Sequence, residues 1–342
     1  MKYFLEQKEE IIFWAKELHN RSFINGPCGN ISLRIDKDKF LVTAHNAYLG
    51  YLEKDEIIPV DKNGVPLEET THKPTSEIAM HLGAYKNEQV GAVIHAHPNF
   101  TTAFYAKFNT LDIFSYEARL YLSNIPVIEQ DGPVVTNVLP VLEALSLSNI
   151  VVLKKHGIIS VGSNFKEAFS WAEALEEACK VNIALMASTV NSTAGQPDSR
   201  LTERCSGALN PAGVDIGEKY DLFSQEHIKK IVSLVNEDKE VKEKGEALNL
   251  TTKLAIKVDE ENRIYNFHFN KGKIDTVTND EDAEFVISGP AAVWRMVFDR
   301  RLDPFAAATQ RKLKLKGDMA KLSRWYAPFN RIFDLWKLAP VK

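Results

Sequence analysis

In the stretch VGAVIHAHPNF, residues 90–100, His95 and His97 stand one residue apart at the end of an apolar run. The chain has 9 histidines in all, so this concentration needs a reason. Side chains two apart on a β-strand face the same side. Both imidazoles can therefore converge on one point, as a metal ion requires. A catalytic zinc takes three protein ligands and keeps one position open. His156, in VVLKKHGII, offers a third imidazole at another strand end followed by a glycine turn. The plain alternative is a pair of hydrogen-bonded polar residues at strand ends, and an H-x-H pair by itself leaves the two readings level. Glu77, in KPTSEIAMH, shifts the balance. A carboxylate that converges on the histidines is the acid/base partner of metal-assisted carbon chemistry.

The elements that must position these residues are legible from periodicity. Residues 3–20 have the spacing of an amphipathic helix, and GNISLRIDKDKFLVTA reads as a hairpin. A helix opens at SEIAMHLGAYK, and VGAVIHAH and NIVVLKKHGIISVG are short Val/Ile-rich strands. NFKEAFSWAEALEEACKVNIALMAS is a long periodic helix with Asn164 placed to cap it.

In this order, Gly29-Asn30, Thr75-Ser76-Glu77, the HAHP of His95–Pro98 and the KHGIISVG of Lys155–Gly162 resemble the class II aldolase/adducin family, of which L-fuculose-phosphate aldolases are members. The resemblance spans about residues 3–190. It implies an α/β/α layered fold, zinc on His95, His97 and His156, and Glu77 as the acid/base that moves a proton to or from the substrate carbon. It further implies cleavage or formation of a C–C bond next to a carbonyl through a zinc-bound enediolate, although another divalent metal would serve the same purpose.

By the same resemblance Gly29, Asn30, Thr75 and Ser76 line a phosphate pocket. Tyr116 matches a tyrosine that reaches the aldehyde end of the site from a neighbouring subunit; a packing aromatic near the surface is the equal alternative. His81, four residues past Glu77, reads as a structural hydrogen-bonder. One departure stands out: many sugar-phosphate members have a small Thr/Ser-Gly pair where this chain has His45-Asn46. The substrate expected is thus a small hydroxy-carbonyl compound, phosphorylated or carboxylated. The family also holds decarboxylases, epimerases, dehydratases and non-enzymatic adducin heads, and the full His/Glu set argues for an enzyme. Its active sites lie between subunits, which implies a homo-oligomer, a tetramer by family pattern.

At 342 residues the chain is long enough for two domains, and 44% hydrophobic with 26% charged residues is ordinary for a globular protein. A formal net charge of -4 gives no nucleic-acid footprint. The first twenty residues lack the basic head and apolar centre of a signal peptide, and no run approaches a membrane span. The 3 cysteines are too few for a disulfide framework. A cytoplasmic protein is expected.

The organisation expected is a zinc domain over 1–195, a Gly/Pro/Ser/Asp-rich linker over 196–220 and a second domain over 221–342. The latter resembles the sterol carrier protein-2 lipid-transfer family through the Ser288-Gly289 strand end, the helix with Trp294, LDPFAA at 302–307 and KLKLKGDM at 312–319; Gln310-Arg311 departs where a glycine usually precedes the lysine. That resemblance implies a smaller α/β domain in which helices cover a five-stranded sheet around an apolar tunnel for a lipid-like ligand. In the tail, Trp325, Phe329, Ile332, Phe333 and Trp336 form one helical stripe. It reads as core or interface packing, with a lid or mouth of the tunnel or a docking surface for a membrane or partner as the alternative, and Pro328 is a candidate start for a separate helix. A non-catalytic lipid carrier or scaffold with a relic aldolase half is the reading from another class.

Overall fold

A computed structural model describes residues 4–130, 132, 134–192, 219–261 and 263–342. The linker expected over 196–220 lies outside the described residues up to position 218. The chain divides into two compact units, Met1–Ser206 and Gly207–Lys342.

The first unit runs α1 (Leu5–Asn20), β1 (Asn30–Arg34), β2 (Lys39–Thr43), β3 (Ile57–Asp61), α2 (Ile78–Ala84), β4 (Ala92–Ala96), α3 (Asn99–Lys107), α4 (Tyr116–Tyr121), β5 (Val127–Ile128), α5 (Leu139–Leu147), β6 (Ile150–Leu153), β7 (Gly157–Gly162) and α6 (Phe165–Ser192). Its seven strands form one sheet in the order β3-β2-β1-β4-β7-β6-β5. All neighbours are antiparallel except β5 and β6. Every residue of β4, β6 and β7 is buried. Successive strand residues face opposite sides, so the sheet centre is covered on both faces. That is the α/β/α layering expected. The helix α6 supplies Trp171, Leu175 and Cys179 to this core. Its start is capped as read from sequence: the Asn164 side chain accepts from the Glu167 N–H at 2.9 Å.

The hairpin β6–β7 pairs Leu153 with Gly157, leaving Lys154–His156 as a three-residue turn with Lys155 in the left-handed region (φ 61°). His156 therefore sits on the turn, and the glycine after it is the first residue of β7.

The second unit contains α7 (Gln225–Glu237), α8 (Lys239–Ala247), β8 (Thr252–Val258), β9 (Arg263–Asn270), β10 (Lys273–Thr278), β11 (Phe285–Gly289), α9 (Ala291–Phe298), α10 (Pro304–Thr309), β12 (Lys314–Lys316), α11 (Met319–Arg324) and α12 (Tyr326–Trp336). Its five strands are ordered β10-β9-β8-β11-β12, with β8 and β11 parallel. The tail stripe is core: Trp325, Phe329, Ile332, Phe333 and Trp336 are all buried. Its helix opens at Tyr326, two residues ahead of the proline read as a start. Pro328 falls in the first turn, where its missing N–H would have had no acceptor within the helix.

An apolar pocket lies among Leu254, Ile287, Leu315, Phe305, Phe329 and Phe333, with a volume of about 10 Å³. Among the described residues, no helix is long and apolar enough to cross a membrane.

Candidate metal centre

The centre is assembled on β4 and its two neighbours. Asn30 on β1 and Ile159 on β7 flank His95 in the antiparallel ladder. His97 lies just past the strand end, where its backbone N–H donates to the Phe23 carbonyl at 2.7 Å. The β6–β7 turn brings His156 alongside. The three ring centroids are 4.8, 4.8 and 4.9 Å apart, each pair edge-on. One nitrogen from each ring lies within 4.8 Å of the others.

Two glycines make this possible. A Cβ on Gly157 would lie 2.3 Å from the Ala96 carbonyl oxygen and 2.6 Å from His97 Cδ2. Gly29 adopts φ +78°, and a Cβ there would lie 2.8 Å from the His95 carbonyl oxygen. A side chain at either place would push the histidine strand away.

Glu77 is the N-cap residue of α2, yet its side chain makes no capping bond. The carboxylate turns inward instead and is buried at 5% exposure. Its Oε2 lies 3.2 Å from His95 Nε2 and accepts from Asn30 Nδ2 at 3.0 Å; its Oε1 accepts from the Val135 N–H at 3.2 Å. Burial by itself raises the Glu77 pKa, but His95, the Asn30 amide, the Val135 N–H and His156 outweigh it and hold the group below its ordinary value.

The donor set fits a metal cation. His95 Nδ1 lies 2.8 Å from the Ile158 carbonyl oxygen, an acceptor, so Nδ1 carries the proton. In the neutral ring Nε2 is then a lone pair, and it faces the Glu77 carboxylate, another acceptor, at 3.2 Å. Two acceptors in contact repel unless a proton or a metal ion lies between them. Burial, followed by the neighbouring rings, lowers His97 to a pKa of about 3; burial, then His95, lowers His156 to about 4. Neutral imidazole is the form that binds metal. Among the described residues, the buried His156 Nδ1 has no hydrogen-bond partner, a cost that ligand binding would remove.

Of the residues read as a substrate pocket, His45 and Thr75 are tied to neighbouring segments by backbone bonds. The His45 N–H donates to the Lys73 carbonyl at 2.8 Å, and the Thr75 N–H to the Thr43 carbonyl at 3.1 Å. His45, Asn46 and Ser76 are exposed, Thr75 is buried, and Asn46 has φ 62°. Asn30 is buried, and its two polar atoms engage Glu77 and His81. Tyr116 begins α4 and is 70% exposed. The Val135 N–H, Ser32 and Tyr85 were not singled out from sequence. A signal for the last two exists: Glu77, His81 and Tyr85 are spaced by four, and Asn30 and Ser32 by two.

Residues 9–183, just over half of the chain, match the class II aldolase and adducin N-terminal domain. The chain belongs to the class II aldolase and adducin family. This class II aldolase-type chain also matches the SCP-2 sterol transfer family over residues 229–329. A curated relative named L-fuculose phosphate aldolase, from Methanococcus vannielii, is 35% identical over 181 residues, which cover 52% of this chain and 96% of the relative. The 3-oxo-tetronate 4-phosphate decarboxylase of Haemophilus influenzae is 28% identical over 53% of this chain and 89% of its own. The methylthioribulose-1-phosphate dehydratase of Bacillus mycoides is 29% identical over 54% of this chain and 93% of its own.

Proposed function

We propose that this chain is a zinc-dependent aldehyde-lyase that cleaves or forms a C–C bond next to the carbonyl of a small hydroxy-carbonyl compound. The observation that carries this reading is the facing of His95 Nε2 and Glu77 Oε2 beside His97 and His156. In it, His95, His97 and His156 hold the metal. Bound there, zinc supplies a Lewis acid for the negative charge that develops as the bond beside the carbonyl breaks.

Glu77 is the proton carrier. In the cleavage direction it delivers a proton to the carbon left behind; in synthesis it removes the proton from that carbon. The Asn30 amide and the Val135 N–H favour its charged form and fix which oxygen faces the histidines. The proton Glu77 delivers is matched by one lost from the substrate hydroxyl at the aldehyde end. Tyr116 is assigned to that end, serving it from a neighbouring copy, so the active form is a homo-oligomer. Gly29, His45, Asn46, Thr75 and Ser76 bind the substrate's anionic group; His45, bulkier than the small residue of many relatives, favours a carboxylate or a hydrogen-bonded phosphate. The second unit binds an apolar ligand, the reading supported by its sterol-transfer match.

A second reading keeps the same site and has it decarboxylate or dehydrate, since relatives with those names cover the same half of the chain. The test is metal analysis of the purified protein followed by a panel of phosphorylated, carboxylated and long-chain hydroxy-carbonyl substrates, with products weighed by mass spectrometry. Stoichiometric zinc and two carbon fragments are expected. Release of carbon dioxide or water would move the assignment to the second reading, and a protein that binds no metal would overturn both.

A further inference from the structure

The acid/base carboxylate is the last acceptor of a buried hydrogen-bond chain that reaches well away from the histidines. Tyr85 Oη lies 2.8 Å from Ser32 Oγ, Ser32 Oγ lies 2.7 Å from His81 Nδ1, His81 Nε2 lies 2.5 Å from Asn30 Oδ1, and Asn30 Nδ2 lies 3.0 Å from Glu77 Oε2. All five residues are buried, Ser32 and His81 completely.

The backbone explains why they interleave. Glu77, His81 and Tyr85 are spaced by four along α2, about 6 Å per step, while Asn30 and Ser32 are spaced by two along β1, about 6.6 Å. One helix face and one strand face are thus nearly commensurate, and the side chains alternate helix, strand, helix, strand, helix.

The direction of every bond follows from the carboxylate end. A carboxylate only accepts, so the atom of Asn30 that faces it is the NH2 and the atom facing His81 is the carbonyl oxygen. His81 must then carry its proton on Nε2, which leaves Nδ1 as an acceptor for the Ser32 hydroxyl. The Ser32 oxygen in turn accepts from Tyr85. All donors point toward Glu77, and each bond polarises the next. Burial first, and His95 second, lower His81 to a pKa of about 3, and burial raises the Tyr85 hydroxyl above its ordinary value, so both stay neutral and keep these roles. The outer end is braced as well: the Tyr85 ring stacks on Phe40 at 4.6 Å, and the Arg34 guanidinium lies 5.0 Å from its centroid.

We propose that His81 is a positioning residue for Glu77, acting through Asn30: with Ser32 and Tyr85 it locks the Asn30 amide so that the NH2 always meets the carboxylate. Without the lock the amide can turn its oxygen toward Glu77, and the carboxylate would swing away from the histidines. In its kinetic consequences alone this rests on the lyase reading above; the direction of the chain does not.

Two measurements test it. Long-range 1H–15N NMR of zinc-loaded protein labelled with 15N-histidine, with the His81 signal assigned by its loss in His81→Gln, should find a neutral ring protonated on Nε2. A proton on Nδ1 would reverse the chain at that ring and overturn the proposal, whether or not the protein turns over any substrate. In kinetics, His81→Leu should lower kcat about 100-fold with KM little changed, the size of effect expected for a misplaced catalytic group. His81→Gln, which can still donate to Asn30, should recover most of that loss. Tyr85→Phe, which removes the outermost donor without changing volume, should cost about two- to threefold by loss of polarisation. Should His81→Leu fail to fold, the Gln and Phe variants carry the kinetic arm. A His81→Leu protein with full kcat, or a His81→Gln protein no better than the Leu variant, would overturn the positioning role. Absence of turnover in the unaltered protein would sink the lyase reading and leave the NMR result to decide the chain.

Discussion

His95 Nε2 lies 3.2 Å from Glu77 Oε2, although the same ring is pinned through its other nitrogen to the Ile158 carbonyl. That pinning leaves the neutral ring and the carboxylate facing each other acceptor to acceptor, so the pair is satisfied only when a positive charge, on the ring or on a bound cation, is present. The consequences of this arrangement can be measured.

Removing the charge of Glu77 while keeping its shape separates metal binding from proton transfer. In Glu77→Gln, zinc content should be unchanged, while turnover should fall by about 10²–10⁴, the range expected for loss of a general acid/base. Metal analysis beside steady-state kinetics checks both halves. Full activity would remove Glu77 from the proton-carrying role.

The histidines themselves should behave as one unit. Alanine at His95, His97 or His156 should each abolish stoichiometric zinc in the dialysed protein, because two remaining imidazoles make an incomplete site. A variant that keeps full zinc would show that its histidine is not a ligand.

Gly157→Ala tests whether backbone packing holds the site in shape. The added methyl meets the Ala96 carbonyl at 2.3 Å and the His97 ring at 2.6 Å. The strand or the ring must shift, with a destabilisation of about 1–3 kcal/mol. Zinc affinity should fall together with the melting temperature. A protein that loses neither would mean the site tolerates strand movement.

The second unit should weaken in mild acid through His227. This ring accepts from the Phe223 N–H through Nδ1 at 2.9 Å, and its Nε2 lies 3.0 Å from the Ala339 carbonyl, which requires the neutral form with the proton on Nε2. Burial lowers its pKa to about 4, against an ordinary value of 6.5. Between those values the unfolded chain binds the proton and the folded one does not, so this contribution is complete above about pH 6.5 and lost as pH falls toward 4. The linkage amounts to about 3 kcal/mol. Calorimetry across this window should show the loss, and His227→Gln should flatten it; an equally steep decline in the variant would assign the effect elsewhere.

Enlarging the apolar pocket of the second unit should make more room for an apolar ligand. Phe329 is fully buried and lines that pocket. Phe329→Ala should cost about 3–5 kcal/mol and leave a cavity. Binding of a fluorescent fatty acid should tighten in the variant, since the ligand then fills space that the unaltered protein already occupies with its own ring. Weaker binding would argue that Phe329 contacts the ligand.

The Asn164 helix cap, the spacing of the histidine pair and the aromatic stripe of the tail were legible in the sequence because each is local. Asn164 ahead of a periodic run, two histidines at strand spacing and an aromatic stripe at helical spacing all declare themselves within a few residues. The start of the tail helix was misjudged because a proline in the first turn and a proline before a helix look alike along the chain.

What the sequence determined by itself is the inventory and its local geometry: three imidazoles, one carboxylate and the periods that aim them. Only the tertiary structure decided that β1, β4 and β7 lie side by side, so that Asn30, His95 and the turn carrying His156 meet. Only it revealed that a helix face spaced by four meshes with a strand face spaced by two to tie Tyr85 to Glu77 across buried polar side chains. The physical reason is that periodicity is fixed by neighbours along the backbone, whereas hydrogen bonds between residues some fifty positions apart (47 for Asn30 and Glu77, 53 for Ser32 and Tyr85) depend on which strands pair and which helix covers them.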